Sequence, residues 1–153
     1  MEFEILSEKL ERFFNNEGFN VRVRYGDKFC YDFRTATVYY TDKLPAFAAR
    51  LQMMWAMKHG LEYTCSPFFM GLLHEVGHHL TSRHLSLEEM LYCKRVKNLL
   101  DSDTVENNLA YFELPDEKIA TLWAINYINN NRGKLFKLAA EININLESNS
   151  IWS

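Results

Sequence analysis

Between Phe3 and Asn15 the apolar residues Phe3, Leu6, Leu10, Phe13 and Phe14 recur at helical intervals, and Gly18 just beyond them supplies a stop signal. The period then shortens. Phe19, Val21, Val23 and Tyr25 alternate with polar residues, as in a half-buried strand, and Gly26-Asp27 offers turn chemistry after it. Phe29 to Phe33 and Thr37 to Thr41 read as two further strands of a small antiparallel sheet. From Pro45 the spacing is helical again. Ala46 to Lys58 predicts one helix, closed near Gly60, and a second starts at Pro67 with Ser66 as N-cap. A third runs from Ser86 to about Asp101, opened by the Ser86/Glu89 capping-box spacing. Pro115 to about Asn130 predicts a fourth. An Asn-rich break containing Gly133 precedes a last helix, Lys134 to about Leu146. The predicted fold class is α+β, a small N-terminal antiparallel sheet with a helical body, in a single domain over residues 1–153.

Composition narrows the function classes. With 153 residues, 48% apolar and 14% aromatic, the chain can bury a core of its own. A net charge of −3 argues against a general nucleic-acid binder. No apolar run is long enough to span a membrane, and the acidic, amphipathic N-terminus lacks the pattern of a signal peptide. Cys30, Cys65 and Cys93 are far apart and form no CxxC, so they read as thiols in a reducing compartment. A soluble, cytoplasmic protein is the expectation.

The chemistry concentrates between Leu72 and His84, LLHEVGHHLTSRH, which holds four of the five histidines. His74-Glu75-Val76-Gly77-His78 is H-E-x-x-H. On a helix, positions four apart share a face, so His74 and His78 can each direct one imidazole nitrogen to a single zinc ion. Glu75 is then placed to take a proton from an attacking water instead of binding the metal. The surrounding Phe68, Phe69, Met70, Leu72, Leu73, Val76 and Leu80 cover most of the helix circumference, which predicts burial. Two imidazoles and a carboxylate buried without partners would cost several kcal/mol, and a divalent cation would satisfy them. Gly77 sacrifices about 1 kcal/mol of helix propensity, which predicts close approach by another backbone.

Two histidines leave the site one ligand short. His84 is one candidate, in the spacing H-E-x-x-H-x-x-T-x-x-H, which is similar to the metzincin motif except that Thr81 stands where metzincins carry a glycine for a sharp turn. Glu117 is the other. Ala120 and Ala124 share its helix face and would let that helix pack tightly, with Gly77 as the expected point of contact. Glu113 and Asp116 are reserves. His79, Tyr111 and Tyr127 are candidates for an oxyanion donor or a supporting contact. His59 is expected at a helix end, Phe47 and Trp55 in the core, and Lys94, Arg95 and Lys97 on a solvated face. Thr37 to Thr41 could offer a sheet edge to an extended peptide.

His74-Glu75-Val76-Gly77-His78 followed by Glu117-Lys118-Ile119-Ala120-Thr121-Leu122-Trp123-Ala124 resembles the ImmA/IrrE-like metallopeptidases, a gluzincin-type family with H-E-x-G-H and a later E-x-x-A-x-x-[FW]-A. The resemblance covers about Phe68 to Ala124. It implies a zincin-like fold in which His74, His78 and Glu117 hold one Zn²⁺ per chain, Glu75 acts as general base, and the substrate is a protein or peptide. The alternative is a non-catalytic regulatory or partner-binding protein whose zinc site is structural or lost.

Overall fold

The computed structural model describes residues 2–44, 46–100 and 104–146, so Pro45 and Asp101, expected near helix ends, lie outside the described residues. The architecture is α+β, with seven α-helices and one three-stranded sheet among the described residues. Helix α1, Glu2–Asn16, ends where Gly18 takes φ +84°, the left-handed conformation that a side chain resists. Strands β1 (Arg22–Tyr25), β2 (Cys30–Asp32) and β3 (Thr37–Tyr40) follow.

The sheet is mixed, which corrects the antiparallel expectation. Its order is β1-β3-β2, with β1 parallel to β3 and β2 antiparallel to it. Alternation along a strand fixes which side chains face the core but says nothing of neighbour or direction. Here the crossover between parallel strands contains β2 itself, so the chain passes β3's place and returns to fill it. The strand expected to offer a free edge, Thr37–Tyr40, is therefore the central one, paired on both sides. β1 and β2 are the edges instead.

The helical body comprises α2 (Ala46–Lys58), α3 (Pro67–Thr81), α4 (Leu87–Leu99), α5 (Val105–Glu113), α6 (Pro115–Asn130) and α7 (Arg132–Ile142), with a 3₁₀ turn at Ser82–His84. Local chemistry starts them as anticipated. The Ser66 side chain accepts from the Phe69 backbone N–H, Pro67 and Pro115 open their helices, and Ser86 and Glu89 form a complete capping box. Helix α5 is additional to the sequence expectation; Thr104 caps it by accepting from the Asn107 N–H.

Helix α3 runs through the middle of the core, with Phe69, Leu72, Leu73 and Val76 fully buried. Its closest partner is α6, and the reason is Gly77. A Cβ added there would stand 2.6 Å from the Ala120 carbonyl oxygen, so only glycine permits this approach. Trp55 is buried as expected, whereas Phe47 is 50% exposed, so the outer face of α2 is not core. No helix among the described residues is long and apolar enough to cross a membrane.

Candidate metal centre

The α3–α6 contact decides where three side chains go. His74 and His78 project from α3 one turn apart, and Glu117 from the first turn of α6. One donor atom from each lies within 4.8 Å of the other two. Glu117 Oε1 is 2.8 Å from His74 Nε2 and 3.2 Å from His78 Nε2. Glu117 is 2% exposed, yet its carboxyl is held well below the usual carboxylate range: burial works against the charged form, but the charge of His78 and hydrogen bonds from both imidazoles outweigh it. A buried carboxylate bracketed by two imidazole nitrogens is a His₂Glu donor set, suited to a divalent transition metal with a remaining open position.

His74 is aligned from behind. Its Nδ1 lies 3.1 Å from Thr121 Oγ1 and 3.3 Å from the Gln52 side-chain amide, whose nitrogen is also 3.4 Å from Thr121 Oγ1. All three residues are buried. For Nε2 to offer its lone pair, Nδ1 must carry the proton and donate it, and the Thr121 hydroxyl can accept it. An amide turned by 180° presents its oxygen to the same cluster.

Glu75, on the same helix as the histidines, lines the adjoining cleft. Removal from water pushes its carboxyl up to about 7, reinforced by the nearby charge of Glu117 and opposed by His74, Lys97 and Lys28. A carboxyl poised near neutrality can both accept and return a proton. Tyr111, from α5, faces the same space. Burial, the charges of Glu117 and Glu75 and a hydrogen bond to Glu117 all push its phenol up, so it remains an O–H donor.

Lys97 departs from its expected place on a solvated face. From α4 its Nζ reaches Glu117 Oε2 at 2.7 Å and Asp116 Oδ2 at 2.5 Å, and it lies 5.2 Å from the centre of the Tyr111 ring. Glu117 thus offers Oε1 to both histidines, while Oε2 is shared between Lys97 and His78 Nε2, the latter at 3.1 Å.

Other sequence candidates fall elsewhere. His79 donates from Nε2 to the Phe19 carbonyl at 2.8 Å, which leaves Nδ1 to accept from the Tyr31 hydroxyl at 2.7 Å. Both nitrogens are engaged, tying β2 and the segment ahead of β1 to α3. Tyr127 hydrogen-bonds Glu17 at 2.5 Å and stacks on Trp123, away from the triad. Glu113 binds Trp55 Nε1 at 2.9 Å and His59 Nε2 at 2.6 Å, joining α2 to α5. His84 is exposed on the 3₁₀ turn and outside the triad. The cysteines are unpaired, with Cys65 and Cys93 buried.

Two hollows meet at the triad. One, of 170 Å³, is walled by apolar residues including Met53, Met70 and Phe112 and reaches His74. The other is a cleft of 890 Å³ that runs past β2, His78 and α4. Glu75, Tyr111 and Glu117 line both. Compared with known protein families, curated proteins and solved structures, the chain matches none.

Proposed function

We propose that the protein is a zinc-dependent metallopeptidase, zincin-like in arrangement and ImmA/IrrE-like in kind, with His74, His78 and Glu117 as the zinc ligands. The observation that carries this reading is the His74–His78–Glu117 group itself, assembled from two helices beside a cleft and a free carboxyl. Zinc at such a site polarises a carbonyl and lowers the pKa of a water to about 7. The chain's own residues do the rest. Glu75 accepts a proton from the attacking water and delivers it to the leaving amine. Tyr111, kept protonated, can turn its O–H from Glu117 towards the oxygen that gains charge. An extended peptide pairs with the outer edge of β2, Cys30–Asp32, whose inner edge is taken by β3.

The test is zinc per chain after dialysis, followed by peptide hydrolysis. Wild type and His84→Ala should hold stoichiometric zinc and Glu117→Ala should lose it. Glu75→Gln should keep zinc and lose roughly 10²–10⁴-fold in hydrolysis. A Glu75→Gln variant with full activity ends this mechanism. Lys97 favours a second reading, a non-catalytic protein with a structural or lost zinc site, because a cation already neutralises Glu117. Wild-type protein that takes up no zinc would put that reading first.

A further inference from the structure

The chemistry above uses the floor of the 890 Å³ cleft and leaves its rim unexplained. Four cations line the cleft, Lys28, Arg83, Lys94 and Lys97, against three carboxylates, Glu75, Asp116 and Glu117. The chain as a whole carries −3, so this concavity runs against the general charge. Lys97 is committed to Asp116 and Glu117. The other three cations make no ion pair among the described residues.

They converge from separate elements. Lys28 precedes β2, Arg83 lies in the 3₁₀ turn, and Lys94 is on α4. Met90, Lys94 and Lys97 follow at intervals of four and three, so one face of α4 forms a wall of the cleft. Lys28 is near enough for its charge to act on Glu75. A dication in the triad would add to the same sign. Cations in a concavity with apolar walls, here Phe29, Phe33 and Leu85, concentrate anionic ligands more strongly than the same charges on an open surface. A continuous phosphate backbone would meet Glu75 and Asp116 as well as the cations. A peptide can meet the cations with individual side chains while its backbone follows β2.

We propose that the cleft selects acidic peptides, with Lys28, Arg83 and Lys94 receiving Asp or Glu side chains that flank the segment paired to β2; the proposal rests on the peptidase reading for the fate of that peptide. The experiment is fluorescence anisotropy on Glu75→Gln protein dialysed against zinc. The probes are short labelled peptides of one backbone sequence bearing Glu, Gln or Lys at the variable positions. At low salt the Glu peptide should bind on the order of fivefold to tenfold more tightly than the Gln peptide, with the Lys peptide weakest. Rising salt should erase the difference, and Arg83→Glu combined with Lys94→Glu should reverse the order.

Equal affinity for the Glu and Gln peptides with Lys28, Arg83 and Lys94 all in place overturns the proposal. So does an unchanged order in the doubly reversed variant, or a single-stranded oligonucleotide of equal charge that displaces the Glu peptide and binds more tightly. Incubating the same Glu peptide with zinc-treated wild type separates the two ideas: tight binding without cleavage would sink the peptidase reading and leave acidic selection standing.

Discussion

Two helices reach the same carboxylate by different means. Helix α6, which carries Glu117, buries seven of its 16 residues, whereas α4, which carries Lys97, buries one of 13. The first is placed by packing, with no space for even a methyl group between Gly77 and Ala120. The second leaves Leu87, Leu91 and Leu99 exposed and is fixed by its capping box, by Cys93 and by the Lys97 ion pairs. Geometry that a metal site needs to within a few tenths of an ångström is therefore entrusted to the rigid contact. Charge balance, which tolerates small displacements, is entrusted to the adjustable one.

The sharpest way to break this contrast is Gly77→Val. Its side chain must displace backbone, so a loss of about 3 kcal/mol and a fall in melting temperature of roughly 10 °C are expected. A variant that melts like wild type would show that the two helices need not be so close. Lys97→Met comes next. It keeps the aliphatic stem but leaves Glu117 with the imidazoles and the Tyr111 hydroxyl and no fixed cation, costing about 2 kcal/mol in protein stripped of metal. Zinc should narrow that gap, because a dication neutralises the same carboxylate; a deficit that persists unchanged with zinc bound would assign Lys97 a packing role only. Smallest is Ser86→Ala, expected to cost about 1 kcal/mol. Its effect should be seen as faster amide exchange in α4 with zinc content unaltered, and lost zinc would mean that α4 positions the ligands after all.

The rigid half of the site is also the half that could be read from the chain. Gly77 in an otherwise apolar helix announced a close neighbour, and Glu117 with Ala120 and Ala124 announced which helix that was. Ser66, Ser86 and the prolines marked helix starts through local hydrogen bonding, which needs no tertiary knowledge. Lys97 was illegible because a lysine on a helix is exposed far more often than buried, and only the tertiary position of Glu117 reverses that. Helix α5 was missed since nine residues with Asn107 and Asn108 in the first turns have little propensity of their own; the Thr104 cap and the Trp55–Glu113 bond sustain them. Strand order was beyond reach because alternation repeats identically for either neighbour. Gln52 did leave a signal, a lone amide within the apolar run LQMMWAM, and a buried amide must find a partner.

One consequence of the Gly77–Ala120 approach concerns chain length. His78 and Glu117 stand 39 residues apart, and among the described residues the interval carries α4 and α5, whereas the spacing between the helices that bear the candidate ligands is set where Gly77 meets Ala120. Closing a loop becomes only slowly harder as it lengthens, by about 0.6 kcal/mol for each doubling. Insertions in that interval would therefore leave the donor atoms where they are. The separation of the two half-motifs along the chain is the least constrained quantity of the whole arrangement, and any pattern that fixes it would pass over chains built on the same contact.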